Sequence, residues 1–204
     1  IITPVFNPPE DVFIELIESV RTQTYDNFEL CLGNFGDDQG IKDIIAEYAK
    51  KDSRIIELKS AENKGIAENS NQILAEAKGE YIALLDHDDT LSPDALYENV
   101  KLLNEDNYDF IYSDKDKIDD KGKRFDPFFK PDWSPEIMLN ANYLTHLNLM
   151  RTSIVNKVGG WDSKTDGAQD WDIFLKVIAA SKKVAHIPKV LYHWRVIATS
   201  TAFS

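Results

Sequence analysis

Short apolar runs alternate with helical spacing over the first half of the chain, and this alternation limits the possible folds more than any other feature. The predicted strands are 1–5, 28–32, 54–58, 81–85 and 108–113, and the predicted helices are 10–23, 41–50, 65–77 and one opened by Ser92, Pro93 and Asp94. This order predicts an α/β fold with a mostly parallel sheet between helices. Such sheets bind ligands at the carboxyl ends of their strands, so the polar residues to examine are Asn7, Asn34, Asn63 and Asp86.

The character of the sequence changes after Ser113. Residues 114–135 are charged and then rich in aromatic residues and proline, which favours a linker or lid over a core element. Farther along, the pattern predicts a short helix over 134–141, strands over 146–151 and 190–196, and an amphipathic helix over 169–180. We therefore expect a single domain, 1–204, whose second half has no separate hydrophobic core.

Composition limits the partners and the compartment. The formal net charge of −12 argues against a nucleic-acid partner, because a phosphate backbone would be repelled. No apolar run approaches the roughly 20 residues that span a bilayer. The single Cys31 excludes an internal disulfide and fits a reducing compartment, so we expect a cytoplasmic protein, free or at the inner face of the membrane. Because the chain begins inside a strand pattern, we also expect neighbouring domains in a longer polypeptide.

Three carboxylates, those of Asp86, Asp88 and Asp89, follow the apolar run 81–85. Carboxylates at this spacing repel one another, so a buried cluster needs either protons or a cation. Mg²⁺ and Mn²⁺ prefer oxygen ligands and often combine one or two carboxylates with substrate phosphates. Such an ion would also let an acidic protein bind an anionic ligand. The alternative is a polar turn that caps the next helix, to which Asp89 and Ser92 would contribute.

The same loop is similar to the nucleophile loop of haloacid-dehalogenase-type phosphatases, in which an apolar strand precedes Asp-x-Asp-x-Thr. In that chemistry Asp86 would attack phosphorus, Asp88 would act as acid and base, and Mg²⁺ would bridge them. Two features oppose this interpretation. That family's loop follows the first strand of its fold, whereas three strand–helix units precede Asp86 here, and a small glycine normally stands where this chain has Asp89.

An ordered set of motifs resembles the family 2 glycosyltransferases, which have the GT-A fold, and especially bacterial enzymes that build cell-surface polysaccharides and glycoprotein glycans. The matching segments are Ile2–Asn7, Ser19–Leu30, Asn63–Ile82, Gly159–Asp162, Gln169–Asp172 and Leu191–Arg195. They cover nearly the whole chain. The resemblance implies an α/β, Rossmann-like domain in which 1–113 binds a nucleotide-sugar and 114–204 binds the acceptor.

The resemblance also implies roles for individual residues. Asp170 matches the catalytic base; a glutamate usually precedes this base, and Gln169 stands in that place here. Asp88 and Asp86 would hold Mn²⁺ or Mg²⁺, with His193 as a further ligand. The residues implied to contact the nucleotide-sugar are Thr3, Pro4, Val5, Asn7, Asn34, Asn63, Lys64, Asn71, Asp86, His87 and Arg195. Those implied on the acceptor side are Trp161, Gln169 and Trp171.

The residues alone leave simpler alternatives open. Asp170 also fits a first-turn acid, which the helix dipole favours. His193 also fits a hydrogen-bonded structural histidine between two aromatic residues of a strand. Lys64 and Arg195 fit a solvated surface as well as a phosphate contact, and buried packing is the usual role of tryptophan.

The second predicted strand departs from the family pattern. It usually ends in two aspartates, one of which binds the nucleotide base. Asn34 takes that place here, unless a shift of one or two residues puts Asp37 or Asp38 there. Asparagine still accepts and donates hydrogen bonds, so the identity of the base is the property most affected.

The sequence therefore predicts an inverting, metal-dependent glycosyltransferase. It would move a sugar, from UDP in preference, onto a hydroxyl of a glycan, a glycoprotein or a lipid-linked saccharide. Two alternatives remain: the phosphatase that uses Asp86, and a catalytically degenerate domain that binds a glycan or a partner enzyme. The Asn34-Phe35 departure supports the degenerate domain, and the three aspartates of the implied site oppose it.

Overall fold

A computed structural model describes residues 1–58 and 62–196. In chain order its elements are β1 (Ile2–Val5), α1 (Glu10–Arg21), β2 (Leu30–Asn34), α2 (Gln39–Lys51), β3 (Ile55–Glu57), α3 (Ile66–Glu76), β4 (Tyr81–Ala83), β5 (Thr90–Leu91), α4 (Ala95–Glu105), β6 (Phe110–Ile118), β7 (Arg124–Phe128), α5 (Pro135–Met138), β8 (Asn148–Arg151), α6 (Thr152–Lys157), a 3-10 turn (Ser163–Thr165), α7 (Gln169–Ala180) and β9 (Val184–Arg195). Residues 197–204, the end of the predicted acceptor half, lie outside the described residues. No described helix is long and apolar enough to cross a bilayer.

The first sheet is parallel and has the strand order β1-β2-β3. Leu84 and Leu85, which directly follow β4, extend this sheet next to β1. Leu84 forms a parallel bridge with Ile2, and the amide of Leu85 donates to the carbonyl of Ile2 at 3.3 Å. Helix α1 buries its apolar stripe against this layer. The carboxyl ends of β1, β2 and the 81–85 run consequently meet at one edge, as the strand–helix alternation predicts.

The second sheet is mixed and has the order β4-β8-β6-β9-β5, with β7 paired to β6. β6 and β9 run parallel from Phe110↔Val184 to Ile118↔Arg195, whereas β8 and β7 pair with β6 in antiparallel orientation. The predicted α/β class is confirmed. Parallel pairing characterises the first sheet and the β6–β9 pair, and antiparallel pairing joins the other strands.

The predicted linker or lid over 114–135 is wrong. β6 continues to Ile118 and turns into β7, so this segment contributes a hairpin to the second sheet. Asp114 and Asp116 are buried in β6 because histidines of β9 hydrogen-bond to them: His186 Nε2 lies 2.8 Å from Asp114 and His193 Nδ1 lies 2.5 Å from Asp116. Because the partners of these aspartates are far away along the chain, the segment lacks the apolar–polar alternation by which a strand is recognised in a sequence.

The predicted start of the fourth helix is also corrected. α4 begins at Ala95 with Asp94 at its N-cap, and Ser92 is not the cap. The Ser92 hydroxyl instead donates to the carbonyl of Val190 at 3.1 Å, because Ser92 directly follows β5 and lies against β9.

Two buried clusters form the core, and each contains residues from both halves of the chain. The first joins Phe13 and Leu32 to Leu147 and Leu191, among others. The second joins Ile2, Ile73 and Phe110 to Met150 and Phe174, among others. The second half therefore completes the packing of the first.

Candidate functional site

The loop Asp86–Asp89 lies at the carboxyl edge of the sheet and is fixed through Asp89. Asp89 is fully buried; its carboxylate accepts hydrogen bonds from the hydroxyl of Tyr192 and, at 2.7 Å, from the amide of Arg195. The amide of Asp89 donates to the carbonyl of Asp86 at 3.2 Å, which makes it a turn residue but not a helix cap. Burial, with the like charges of Asp86 and Asp88, raises the pKa of Asp89 well above its usual range.

Arg195 does not lie where the implied phosphate contact would need it. Its side chain is buried; Nε donates to the carbonyl of Asp88 at 2.7 Å, and the guanidinium pairs with Glu15 of α1. The physical reason is that β9 runs beneath the acidic loop, so this arginine satisfies the loop's backbone. Arg195 therefore positions Asp88 from inside the protein.

Asp86 and Asp88 are the two carboxylates of the loop that remain open. The Asp86 side chain keeps 52% of its surface accessible, and the solvent-accessible space beside Asp86 and Asp88 is here called the cleft. Enclosure by the protein, followed by the negative charge of Asp88, raises the pKa of Asp86 to about 6. Two neighbouring carboxylates fit a hard divalent ion whose other ligands are water and phosphate. Within the described ranges, no group of three or more potential metal-ligating side chains occurs.

His193, the implied third ligand, is placed elsewhere. Its Nδ1 lies 2.5 Å from Asp116, and its Nε2 lies 3.2 Å from the Ser92 hydroxyl. The metal-ligand expectation for His193 is thus corrected to a hydrogen-bonded structural role, because both ring nitrogens already have partners. Ser92, His193 and Asp116 have the connectivity of a hydrolytic triad, but each is under 8% exposed, and the serine also donates to a backbone carbonyl.

His146 is a residue of the cleft that the sequence analysis missed. Its Nε2 lies 3.5 Å from Oδ2 of Asp86, and its ring stacks on Tyr192 with centroids 4.7 Å apart. Burial, with the charges of Lys115 and Lys130, holds its pKa well below the usual range, so the ring is neutral. No sequence signal marks His146, because the loop before β8 reaches the cleft only through tertiary packing.

Lys130 fixes that loop. Its buried Nζ donates to the carbonyls of Leu144 at 2.9 Å and His146 at 2.7 Å. Burial lowers the pKa of Lys130 to about 6. The lysine therefore acts as an internal hydrogen-bond donor that holds His146 beside Asp86.

Asp170 occupies the first turn of α7 and is half-buried. Burial, followed by the negative charge of Asp86, raises its pKa to about 7. Its carboxylate has no hydrogen-bond partner among the residues described, whereas the Gln169 side chain accepts from the amide of Gly167 at 2.7 Å. A carboxylate with a pKa near neutrality is suited to accept a proton from a substrate.

The ends of β1 and β2 form the other wall. Nδ1 of His87 lies 3.3 Å from the carbonyl of Pro4. Asn7 donates to Asp37 at 3.0 Å and accepts from the amide of Asp38 at 3.2 Å, which ties the two strand ends together. Thr3 and Val5 are fully buried, so neither residue presents accessible surface to a ligand.

Asn34, which the family resemblance puts in the place of a base-binding aspartate, ends β2. Its Oδ1 accepts from the amide of Gly36 at 3.0 Å, and its buried Nδ2 has no partner within residues 1–58 and 62–196. Asp38 instead caps α2 through the amides of Gly40 at 2.8 Å and Ile41 at 3.3 Å. The shift that would substitute Asp38 for Asn34 is therefore not supported, whereas Asp37, which accepts from Asn7, stays an alternative.

The segment from Asn63 to Asn71 is occupied by internal contacts. Asn63 accepts from Asn69, a buried asparagine that the sequence analysis missed, at 3.1 Å. Lys64 lies at the surface, where its ammonium is 2.9 Å from Glu62, and this hydrogen bond raises the pKa of Lys64. The solvated-surface alternative describes Lys64 better than a phosphate contact.

The side chain of Asn71 makes two hydrogen bonds to the backbone of Trp161, and this pair is called the clamp. The Asn71 amide donates to the carbonyl of Trp161 at 2.8 Å and accepts from its amide at 2.9 Å. Because Trp161 is 3% exposed, stacking of its ring on an acceptor sugar is corrected to core packing. The indole of Trp171 is half-buried and donates to the carbonyl of Met138 at 2.8 Å.

Comparison with known proteins identifies relatives of this arrangement. Residues 1–158 match the family described as Glycosyl transferase family 2. The chain is 39% identical, over its whole length, to the uncharacterized protein y4gI of Sinorhizobium fredii. Over 99% of its length it is 33% identical to the O-antigen biosynthesis protein RfbC of Myxococcus xanthus. The chain spans only 23% and 16% of the lengths of these two relatives.

Solved structures show the same fold. S. aureus TarS 1-349 in complex with UDP-GlcNAc has a TM-score of 0.79 and 19% identity, covering 100% of this chain and 60% of that one. The mannosyltransferase PcManGT from Pyrobaculum calidifontis, in complex with GDP-Man and Mn²⁺, has a TM-score of 0.73 and 18% identity, covering 98% and 57%. These matches replace the phosphatase interpretation of Asp86. The chain has the GT-A fold and belongs to glycosyl transferase family 2.

Proposed function

We propose that this chain transfers a sugar from a nucleotide-diphosphate donor to an acceptor hydroxyl by an inverting, metal-dependent reaction. The observation that supports it most is the combination of two open carboxylates, Asp86 and Asp88, with a third, Asp170, whose pKa is raised to about 7. The charge of Asp86 contributes to that pKa, so the Asp170 carboxylate lies within electrostatic range of the acidic loop. Residues 1–113 would bind the donor and 114–204 the acceptor.

The reaction is a single displacement at the anomeric carbon. Asp170 takes the proton of the acceptor hydroxyl as its oxygen bonds to that carbon, and the bond to the diphosphate breaks on the opposite face. A Mn²⁺ or Mg²⁺ ion, when bound, supplies stabilisation of the charge on the departing diphosphate. Asp86 and Asp88 would hold that ion, His146 orients Asp86, and Tyr192 and Arg195 hold the loop through Asp89. One displacement inverts the anomeric configuration.

The donor and acceptor classes follow from the relatives. TarS is solved with UDP-GlcNAc and PcManGT with GDP-Man, so both nucleotides belong in the test, and UDP is the proposed preference. RfbC is an O-antigen biosynthesis protein, which supports a glycan, glycoprotein or lipid-linked saccharide as acceptor. Nδ2 of Asn34, which is buried and has no partner among the described residues, is proposed to donate to the base once a nucleotide opens this position.

The test is a panel of UDP- and GDP-sugars assayed for Mn²⁺-dependent hydrolysis and, with saccharide acceptors, for transfer. We expect turnover in the wild type and a loss of about 100-fold to 10,000-fold in Asp170→Asn, the range that general bases contribute. Asp172→Asn is the matched control, since Asp172 lies in the same helical turn and pairs with Lys176 at 2.6 Å. A wild type that binds these donors without any turnover would indicate the degenerate domain instead.

A further inference from the structure

Lys115 lies on the cleft face of β6. It is in register with Tyr192 of β9, so the two side chains share one face of the sheet. On that face the Tyr192 hydroxyl bonds to Asp89 and accepts from the amide of Asp86 at 3.3 Å. The Lys115 ammonium lies 4.5 Å from the ring centroid of Trp194, two residues farther along β9. The lysine is therefore part of the same cluster as the acidic loop.

The Lys115 ammonium has neither a carboxylate within 4.0 Å nor a hydrogen-bond acceptor among residues 1–58 and 62–196. Its neighbours on the hairpin differ: Lys117 pairs with Asp126 at 2.6 Å, and Lys130 donates to two backbone carbonyls. Burial lowers the pKa of Lys115, and the charges of Asp89 and Asp86 oppose that change. A partly enclosed ammonium without an acceptor costs free energy, which an anionic ligand would recover.

Two other basic side chains among the described residues near the loop already have partners. Arg195 bonds to the carbonyl of Asp88 and to Glu15, and Lys130, whose pKa is lowered to about 6, donates to backbone carbonyls. A nucleoside diphosphate brings more than one negative charge to a site that already contains Asp86 and Asp88. One divalent ion offsets two charges, so a further cation is needed at the cleft wall.

We propose that Lys115 binds a phosphate of the donor's diphosphate and stays with it as it departs. This inference rests on the proposed nucleotide-sugar function and assigns to Lys115 the contact that the sequence analysis assigned to Arg195 and Lys64. It adds one donor contact from residues 114–204, which are otherwise proposed to bind the acceptor. A lysine presents a compact charge on a flexible stem, which suits a diphosphate whose charge grows during transfer. Trp194 supports the stem and the ammonium from one side.

The test is calorimetric titration of the wild type, Lys115→Met, Lys115→Arg and Lys117→Met with UDP, GDP and uridine in the presence of Mn²⁺. Methionine keeps the length and apolar packing of the stem but removes the charge. We expect Lys115→Met to weaken diphosphate binding about tenfold or more, since hydrogen bonds to charged groups contribute at this level. Lys115→Arg retains the cation and should stay within about threefold of the wild type.

Lys117→Met is the matched control, because Lys117 also approaches the Trp194 ring, at 5.9 Å, but is paired with Asp126. It should bind diphosphate as the wild type does. Diphosphate binding by Lys115→Met at wild-type strength would overturn the inference, as would an equal loss of uridine and diphosphate binding. If Lys115→Met does not fold, wild-type affinity in Lys115→Gln would overturn it equally. A wild type that binds neither UDP nor GDP would instead refute the proposed function.

Discussion

Asp170→Asn is expected to stabilise the protein at alkaline pH while it removes the proposed base. The folded-state pKa of Asp170 is raised to about 7 from 3.8, so the folded protein holds this proton more tightly than the unfolded chain. A carboxylate with a raised pKa lowers stability above its unfolded pKa, and the loss grows until the pH passes the folded pKa. The loss of folding stability caused by ionised Asp170 is therefore fully developed in the wild type at pH 8.5 and absent well below pH 4.

The size of this effect follows from the same shift. A difference of about 3 pKa units corresponds to about 4 kcal/mol as an upper limit. Because the side chain is partly exposed, solvent screening reduces this to about 1–2 kcal/mol. For a chain of this length the Tm should rise by about 3–6 °C at pH 8.5, and by less than half of that at pH 5.

The assay is thermal unfolding of the wild type and the variant with EDTA at both pH values, followed by circular dichroism. Asp172→Asn serves as the control, because Asp172 pairs with Lys176 and its removal should leave the Tm unchanged or lower it. A lower Tm in Asp170→Asn at pH 8.5 would refute the reasoning. An equal rise at pH 5 and pH 8.5 would also refute it, because the gain would then not come from ionisation.

Three further perturbations test the loop and its supports. Asp88→Ala should abolish Mn²⁺-dependent UDP binding, measured by tryptophan fluorescence, and an unchanged titration would remove Asp88 from the metal site. Tyr192→Phe keeps the buried ring but removes the hydroxyl that donates to Asp89. The free energy of unfolding from urea titration should therefore fall by about 1–3 kcal/mol. Gly160→Ala places a Cβ 2.4 Å from Oδ1 of Asn71 at a φ of 69°, so the urea midpoint should fall by the equivalent of about 1–3 kcal/mol, and an unchanged midpoint would contradict the clamp.

Local patterns determine which parts of this fold are predictable from the sequence. Helices α1 and α7 and the run before Asp86 are visible because their apolar residues recur at the period of the element that they form. The edge at which Asp86 lies follows from the parallel order of the first strands. Family resemblance, rather than periodicity, points to Asp170, whose position in a first helical turn is otherwise unremarkable.

The parts that could not be predicted depend on partners far apart in the sequence. Asp116 looks like a surface residue until His193, 77 positions later, is placed beside it. From the sequence, Arg195 is interpreted as a phosphate ligand, whereas in the fold it donates to the carbonyl of Asp88. Nothing in the sequence distinguishes Lys115 from an ordinary charged residue at the protein surface. Burial of a polar side chain depends on a satisfied hydrogen bond, and sequence spacing carries no information about a donor on another strand.

The anchoring of Asp89 by β9 has a consequence for the order in which the protein acquires its site. The two donors to the Asp89 carboxylate, Tyr192 and Arg195, follow it by 103 and 106 residues. Contacts of such long range form late, because a large loop must close first. A nascent chain that ends before residue 190 would contain the parallel strands and both open carboxylates, yet its acidic loop would lack both of these hydrogen bonds. For the metal site proposed at Asp86 and Asp88, acquisition of Mn²⁺ affinity during synthesis would therefore report the docking of the last strand.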